Sequence, residues 1–413
     1  MTSPSITPAL TPGLTPGPLD TLTAACARLA SPSIVGPSPD GRTQPQSVAG
    51  GAAGIALLHI ERAVAGHGEE ATAHDWIRAA ASEPISIGRN SDPFHGAPAL
   101  AFMLHTADAL GGYRRARASL NEATTTLTRQ RLAAAHARID RHEPLTMYEF
   151  DLVHGLTGLA FYHLHTHPDH PVNHELVTYL ARITEPLGQG EARPPWWLHS
   201  GLGGTAHPDF PHGHGNLGVA HGISAVIALL AYAILHGQDS PAPRQALDTL
   251  CAWTDRHRQE DPTGTWWPGY VVPDAEPKSG RPSWCYGTAG TARAQQLAGL
   301  ALHDTTRQHR AEDAMLAAIT SQRERLPEIG LCHGKAGLLQ AACRMANDST
   351  DPHRSSQLKT QLPVLAADLA RQLDTDSDGT PELMDGTAGA ALALHTALTG
   401  NPATGWDAFL ALS

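Results

Sequence analysis

The stretch Arg281-Pro-Ser-Trp-Cys-Tyr-Gly-Thr-Ala-Gly290 and its shorter echo Leu331-Cys-His-Gly-Lys-Ala-Gly337 carry the pattern that decides the fold. Each places a cysteine two residues before the first glycine of a Gly-x-x-Gly, and the second adds a histidine between cysteine and glycine. A local frame that occurs twice indicates an internal repeat.

The same frame, a turn of small residues followed by an apolar segment rich in Ala and Leu, occurs seven times. Successive copies lie about 45 to 67 residues apart, which is the length required by two helices and their connections. The first glycines of the copies are Gly51, Gly96, Gly155, Gly222, Gly287, Gly334 and Gly386. The chain is therefore predicted to be a helical repeat protein.

The segment after each glycine is almost entirely apolar, as expected for a helix that is buried on every side. Charged amphipathic segments lie between the copies, at 115–138, 244–258, 307–325 and 356–373, and are typical of helices with one solvated face. We predict an all-α fold, an α/α toroid in which seven parallel inner helices are surrounded by seven outer helices. A linear solenoid is the alternative, but it would leave one face of the apolar helices in water.

Two connections and the N-terminus depart from this pattern. Residues 168–216 and 261–283 are longer than most connections within a domain, and we predict irregular or short β insertions that cover one end of the toroid. Residues 1–18 are rich in Thr, Ser and Pro and are predicted to be a disordered tail. Residues 19–413 are predicted to form a single toroid domain.

The residues directly before the glycines should meet at one end of a parallel ring, because they precede the N-termini of the inner helices. This position is mostly polar and holds Gly50, His95, His154, His221, Tyr286, His333 and Asp385. One residue earlier, Cys285 and Cys332 occupy equivalent positions in neighbouring repeats. Helix axes about 8 to 10 Å apart would allow these two thiols to approach a common point.

Two thiolates and one imidazole are three of the four ligands that tetrahedral zinc requires. With Cys285, Cys332 and His333 as ligands, the fourth position stays open, which is typical of a catalytic zinc site. Helix N-termini favour this arrangement because they lower the pKa of a nearby cysteine. The sequence therefore predicts a Zn²⁺ site, although a buried cysteine taken alone is more often an inert core residue.

Three polar residues near these positions are further candidates. His221 directly precedes a glycine one repeat before the cysteines and could transfer a proton. Asp151 lies four residues before Gly155, and Arg281 lies four residues before Cys285. Either could belong to the same site, cap a helix or be a surface charge, and the spacing alone leaves these alternatives open.

The composition excludes several classes of function. The chain has 29 Lys and Arg against 40 Asp and Glu, a formal net charge of -11, so we expect no nucleic-acid partner. The longest apolar run, 223–235, is shorter than the roughly 20 residues that cross a bilayer, so we expect no transmembrane segment. Five irregularly spaced cysteines are too few for a disulfide framework, which indicates a reducing, cytoplasmic location.

Four motifs, taken in order, resemble those of the lanthipeptide cyclases of the LanC family. They are Asp151-Leu-Val-His-Gly-Leu-Thr-Gly158, Asn216-Leu-Gly-Val-Ala-His-Gly222, Trp284-Cys-Tyr-Gly287 and Cys332-His-Gly334. The likeness extends from about Ser47 to the C-terminus. It implies a double α-barrel with zinc held by the ligands predicted above, and a stand-alone cyclase of class I type.

The resemblance also implies an activity. Members of this family close thioether rings by Michael-type addition of peptide cysteine thiolates to dehydroalanine or dehydrobutyrine, which gives lanthionine or methyllanthionine. By resemblance, His221, Asp151, Arg281 and Tyr286 match positions of the family's active site. We hypothesise that His221 protonates the enolate, Arg281 stabilises its oxygen, Asp151 orients His221 or shuttles its proton, and Tyr286 hydrogen-bonds the substrate. The implied partners are a dehydrated precursor peptide, with its core and leader, and a lanthipeptide dehydratase.

Three other interpretations use parts of the same pattern. An enzyme that adds glutathione or another thiol to dehydroamino acids would need every predicted ligand. An isoprenoid transferase also activates a thiol with zinc inside an α/α barrel, but the sequence offers no basic cluster for a diphosphate beyond Arg281. A non-enzymatic helical-repeat scaffold would bind a peptide and hold no zinc.

Overall fold

The computed structural model describes residues 17–34, 45–186, 193–201, 205, 207–376 and 379–413. Within these ranges the chain forms fifteen α-helices. They are α1 (Pro18–Arg28), α2 (Ala52–Val64), α3 (Glu70–Ala80), α4 (Ala97–Thr106), α5 (Arg114–Asp140), α6 (Met147–Phe150), α7 (Leu156–Thr166), α8 (Val172–Arg182), α9 (Ile223–Leu235), α10 (Pro241–Arg256), α11 (Thr288–Leu302), α12 (Thr305–Ala317), α13 (Lys335–Asp348), α14 (Pro352–Thr375) and α15 (Thr387–Thr399). The predicted tail lies outside the described residues up to residue 16, so its disorder and the division at residues 18 and 19 stay predictions.

Seven helices form a closed inner ring, and each begins directly after one of the seven repeat glycines. In order around the ring they are α2, α4, α7, α9, α11, α13 and α15; each contacts the next, and α15 contacts α2. Their side chains are buried along most of their length. Although they are apolar, no helix in the described ranges is both long and apolar enough to cross a membrane. The predicted toroid is confirmed, and the contact between α15 and α2 excludes a linear solenoid.

Backbone hydrogen bonds join the segments that precede the inner helices. The N–H of Cys285 donates to the carbonyl oxygen of Cys332 at 3.1 Å, and the N–H of Cys332 donates to that of Met384 at 2.9 Å. The N–H of Met384 donates to the carbonyl oxygen of Ala49 at 3.1 Å, which links the last repeat to the first. The inner helices are therefore parallel and begin at one end of the ring, which we call the mouth.

The outer layer consists of α1, α3, α5, α8, α10, α12 and α14. The four amphipathic segments predicted from the sequence are α5, α10, α12 and α14; α12 ends at Ala317 and continues as a π turn (Ala318–Gln322) and a 3₁₀ turn (Arg323–Arg325). The seventh outer position is filled by α1, which packs against α14 and α15. Helix α1 thus completes the outer layer beside the last repeat.

The prediction that residues 168–216 are irregular is wrong for part of that segment, because Val172–Arg182 forms the outer helix α8. Its buried residues Val172, Leu176 and Leu180 recur every fourth position, which is the apolar stripe of an amphipathic helix. The Pro-rich and Gly-rich residues that follow led the whole segment to be interpreted as a loop.

Within the described ranges, four short strands lie in or beside the predicted insertions. Strand β1 (Gly215–Asn216) pairs antiparallel with β4 (Tyr270–Val271), and β2 (Gln259–Asp261) forms a hairpin with β3 (Gly264–Trp266). The ring of Tyr270 lies 5.0 Å from that of Tyr286, which directly precedes the glycine before α11. The β1–β4 pair therefore covers the mouth above α11, as predicted.

The C-terminal segment lies inside the ring. Trp406–Leu410 forms a buried 3₁₀ turn, and the ring of Phe409 packs against those of Phe94 and Phe102 at 5.2 and 5.5 Å. The indole N–H of Trp284 donates to the carbonyl oxygen of Leu410 at 2.9 Å. Because Trp284 directly precedes Cys285, the C-terminus supports the first cysteine segment from within.

Candidate metal centre and active site

The segment before each inner helix folds back over the first turn of that helix. A Cβ atom on Gly290 would overlap with the carbonyl oxygen of Trp284, and one on Gly337 would overlap with that of Leu331. Only glycine permits this close backbone approach. Because Trp284 and Leu331 directly precede the two cysteines, the same contact sets Cys285 and Cys332 at equivalent points of the mouth.

The structure brings the three predicted metal ligands together. One ligand atom from each of Cys285, Cys332 and His333 lies within 4.8 Å of the other two, and this is the one such group of three or more His, Cys, Asp or Glu side chains in the described ranges. Two thiols and an imidazole are donors that zinc prefers, and three protein ligands leave its fourth position for a substrate. The donor set therefore fits a metal ion such as zinc.

The two thiols influence each other's protonation. The hydrogen bond with Cys332 lowers the pKa of Cys285; burial opposes this effect, and hydrogen bonds with His333 and Ser283 add to it. The same bond and burial raise the pKa of Cys332. The hydrogen bond to Cys285 also raises the pKa of His333, against the effect of burial. One thiol is thus predisposed to lose its proton, which a bound metal would require of both.

A carboxylate stands behind the imidazole of this group. Nδ1 of His333 lies 3.5 Å from Oδ1 of Asp385, which directly precedes the glycine of the seventh repeat. Metal-bound histidines in proteins usually donate their second ring N–H to a carboxylate, a carbonyl or water, which fixes the orientation of the ring. Asp385 is in place for this role and was not among the predicted site residues.

His221 and Asp151 form a direct pair one repeat away from the cysteines. Nδ1 of His221 lies 2.5 Å from Oδ2 of Asp151, whose side chain is 0% exposed. The other oxygen of Asp151 accepts the backbone N–H of His154 at 2.7 Å. Since a buried carboxylate is stable only when it is paired, Asp151 holds His221 through Nδ1. This leaves Nε2 of His221 to exchange a proton.

Tyr286 lies between the histidine pair and the metal ligands. Its ring centroid is 6.3 Å from that of His221, and its hydroxyl accepts a hydrogen bond from the Asn216 side chain at 3.4 Å. The N–H groups of Val219 and Ala220 donate to the carbonyl oxygen of Cys285 at 2.8 and 3.3 Å, which joins the two segments. Burial and the neighbouring Tyr270 raise the pKa of Tyr286, so its hydroxyl stays protonated.

Arg281 is held by a neighbour that sequence reasoning missed. Its Nη1 lies 2.6 Å from Oε1 of Glu328, and both side chains are partly exposed. The positive charge of Arg281 weakly opposes the rise in the pKa of Cys332 and of His333, so the guanidinium lies near the metal group. Its predicted contact with a substrate oxygen stays a prediction.

Sequence reasoning also missed a second histidine–aspartate pair. Nδ1 of His154 lies 2.8 Å from Oδ2 of Asp92. Asp92 lies four residues before Gly96, as Asp151 lies four residues before Gly155, and each histidine directly precedes the glycine of the next repeat. This shared offset is a signal from which the second pair could have been predicted.

Comparisons with known proteins agree with the closed ring of helices. The family model described as lanthionine synthetase C-like protein matches residues 42–411. The nisin biosynthesis protein NisC of Lactococcus lactis subsp. lactis is 23% identical over 260 residues, a match that spans only 60% of each chain. A solved structure of a nisin cyclase superposes with a TM-score of 0.75 at 19% identity and covers 96% of both chains. The resemblance drawn from the four motifs is confirmed, and this chain belongs to the lanthionine synthetase C-like family.

Proposed function

We propose that this protein is a zinc-dependent lanthipeptide cyclase, which joins cysteine thiols of a peptide to dehydroalanine or dehydrobutyrine residues of the same peptide. The observation that carries the proposal is the convergence of Cys285, Cys332 and His333 at the mouth, beside a histidine held by a buried aspartate. The names of the two relatives, a nisin biosynthesis protein and a nisin cyclase, support this class of reaction.

The sulfur side of the mouth, formed by Cys285, Cys332 and His333, would activate the peptide thiol that acts as the nucleophile. These three residues would hold a zinc ion, which when bound would lower the pKa of the peptide thiol so that it reacts as a thiolate. Asp385 would keep the His333 ring in position. The ring itself, closed by the contact between α15 and α2, holds the three ligands in a fixed relation.

His221 would complete the addition. The thiolate sulfur forms a bond to the β-carbon of the dehydroamino acid, the double-bond electrons move toward the carbonyl, and an enolate results. His221 then donates a proton to the α-carbon, and the proton lost by the thiol balances the one gained there. A well-placed general acid contributes typically about 10² to 10⁴-fold in rate. Asp151 would keep Nδ1 occupied so that Nε2 can act.

Two further groups would act on the substrate oxygen. Tyr286, whose pKa is raised by burial, stays a hydrogen-bond donor beside His221. Arg281 would stabilise the enolate oxygen by turning from Glu328 toward the mouth. The N-termini of the inner helices also face this end and add partial positive charge.

The proposed partners follow from this chemistry. The substrate is a precursor peptide, with its leader and core, whose serines or threonines have been dehydrated by a separate lanthipeptide dehydratase. We propose that the reaction takes place in the cytoplasm, where the free thiols of the peptide and of the metal site stay reduced.

The test measures metal content and ring formation together. Purified protein should contain about one zinc ion per chain, and it should protect the cysteines of a dehydrated peptide from alkylation, as followed by mass spectrometry. Addition of free glutathione in a parallel reaction distinguishes ring closure from the addition of a small thiol. The proposed function is wrong if the purified protein neither contains zinc nor protects the peptide cysteines from alkylation.

The role of His221 has its own matched control. His221→Ala should keep its zinc and lose about 10² to 10⁴-fold in rate. His95→Ala removes an imidazole from the same position of another repeat and should cyclise at the wild-type rate. A His221→Ala protein that holds zinc and cyclises as fast as the wild type would rule out the acid role.

A further inference from the structure

The pair Asp92 and His154 repeats the pair Asp151 and His221 one repeat earlier in the ring. The imidazole rings of His154 and His221 lie 5.9 Å apart with their planes inclined by 28°. His221 in turn neighbours Tyr286, so the three side chains follow one another along the mouth and lead away from the cysteines. His154 is the far end of this series.

His154 and His221 differ in their solvent exposure and in the cavity that borders them. The side chain of His221 is 17% exposed and that of His154 is 39% exposed. His154 borders a cavity of about 880 Å³ between α5 and the segments before α4 and α7. Cavities of this size are typical of sites that bind a drug-sized ligand. His154 therefore lines this cavity, whereas His221 is not among its lining residues.

The cavity has the chemistry of a binding site. Leu127, Ala135 and Leu156 give it an apolar floor, and Gln130 and Tyr148 stand at its edge. Within the described ranges, no protein group hydrogen-bonds to the side chain of Gln130 or of Tyr148. An apolar floor with a few free hydrogen-bonding groups is typical of ligand sites.

The wall beside His154 is rigid. Arg131 donates to the carbonyl oxygens of Ser91 and His154, both at 2.6 Å, and so ties α5 to the two segments before α4 and α7. The ring of Tyr148, which is 48% exposed, lies 4.9 Å from that of His154. The polar groups are thus presented by fixed elements, as a preformed site requires.

We propose that this cavity is a subsite for the peptide segment next to the dehydroamino acid, with His154 as the residue that contacts the peptide main chain. The inference rests on the proposed function, which puts the thiolate at the cysteines and the α-carbon at His221. A peptide chain that runs from this α-carbon in the direction away from the cysteines would pass His154 and then enter the cavity. An apolar side chain of the peptide packs on Leu127 and Leu156, while Gln130, Tyr148 and His154 hydrogen-bond its main chain.

The protonation of His154 fits this task. Burial lowers its pKa, but the hydrogen bond to Asp92 and the negative charges of Asp151 and Asp92 outweigh burial, and the pKa is raised. With Nδ1 donating to Asp92, Nε2 can accept a hydrogen bond from a peptide N–H when the ring is neutral and can donate one to a peptide carbonyl when the ring is protonated. His154 is therefore assigned a hydrogen bond to the substrate, and proton transfer remains with His221.

The experiment measures binding apart from chemistry. The probe is a fluorescent dehydrated peptide in which cysteine is replaced by alanine, so that it cannot be cyclised, and its Kd is measured by anisotropy. His154→Ala, Tyr148→Ala and Gln130→Ala should each raise Kd by about two- to tenfold, the effect of one lost hydrogen bond. Arg129→Ala is the matched control: it lies on the same helix but borders a different cavity and pairs with Glu175.

Kinetics on the cyclisable peptide give a second readout. The three variants should raise KM by the same factor and leave kcat unchanged, because they remove binding that the ground state and the transition state share. A peptide shortened to end at the dehydroamino acid should show no difference between wild type and variants. Zinc content and circular dichroism verify that each variant is folded.

The possible outcomes separate this inference from the proposed function. If the wild type cyclises while Kd and KM are unchanged in all three variants, the subsite is wrong and the cyclase stands. A fall in kcat at constant Kd would move His154 into the chemical step and also overturn the subsite. If the wild type binds the uncyclisable peptide through these residues but closes no ring, the subsite stands and the cyclase falls.

Discussion

The two sides of the mouth are built on one backbone frame but carry different chemistry. On α11 and α13, the residue two positions before the first glycine is Cys285 or Cys332, and the thiols meet. On α7 and α9 the same position holds Val153 or Ala220, and the polar groups are histidines held by aspartates of the preceding repeat. The frame therefore fixes where side chains are placed, and one or two residues per repeat decide what they do.

If the two sides of the mouth are independent, a substitution can abolish the function of one side and leave that of the other intact. The segments are joined by backbone hydrogen bonds, such as that from Val219 to Cys285, which side-chain substitutions leave in place. Loss of a ligand on the sulfur side should spare peptide binding, and loss of a carboxylate on the other side should spare the metal.

The largest effect is expected on the sulfur side. Cys332→Ala removes one of three ligands, so metal affinity should fall by more than the roughly 10 to 100-fold that follows loss of an outer-shell partner. The protein should be purified without zinc and form no rings, whereas its Kd for the uncyclisable peptide should change little. Metal analysis and anisotropy measure the two quantities.

The control for this substitution lies in α13, the helix that follows Cys332. Cys343 is buried in α13 and belongs to no metal-binding group in the described ranges, so Cys343→Ala should keep its zinc. Retention of zinc by Cys332→Ala would show that the metal is not held where the three donors converge. It would also mean that the two sides of the mouth do not differ in metal binding as proposed.

A smaller effect separates the two histidine–aspartate pairs. Asp151→Asn keeps the size of the side chain but removes the charge that holds His221, and we expect kcat to fall by about 10²-fold, the lower end for a general acid, with zinc content and KM unchanged. Asp92→Asn should instead raise KM by about two- to tenfold at constant kcat, because it loosens His154. Steady-state kinetics on one peptide measure kcat and KM for both variants.

The same loss of kcat in both variants would contradict the division of roles between the pairs. It would mean that His154 and His221 act as one unit in proton transfer. Unchanged kinetics in both would mean that the carboxylates only stabilise the fold, and a thermal denaturation curve would then show a lowered Tm.

The sequence predicts the sulfur side better than the other side, for a physical reason. Cys285 and Cys332 lie in equivalent positions of adjacent repeats and His333 directly follows Cys332, so a repeat alignment alone brings the three together. Asp92 and His154 are 62 residues apart, and their contact depends on how one repeat packs on the next. The constant offset of aspartate and histidine from the repeat glycines predicts this contact only when neighbouring repeats are considered as pairs.

Other features of the structure cannot be predicted from the repeat pattern. Helix α1 lies before the first copy of the frame, and its position beside α15 follows only from closure of the ring. The ion pair of Arg281 with Glu328 joins partly exposed side chains from two loops, and no periodicity predicts it. Helix α8 was missed because its apolar stripe is short and lies beside a Pro-rich segment.

The smallest effect concerns Asp385, which supports the metal side in the way that Asp151 supports His221. The contact to Nδ1 of His333 is 3.5 Å, longer than the 2.5 Å between Asp151 and His221, so a weaker coupling is expected. Asp385→Asn should lower zinc affinity by about tenfold, the lower end of the range for such partners. Competition with a chromophoric chelator measures this affinity without reference to activity. Asp92→Asn provides the comparison, because it removes the same charge from a histidine on the other side and should leave zinc affinity unchanged. Equal affinities in the two variants would mean that Asp385 does not orient the ligand, and that only the histidine–aspartate side of the mouth depends on carboxylates.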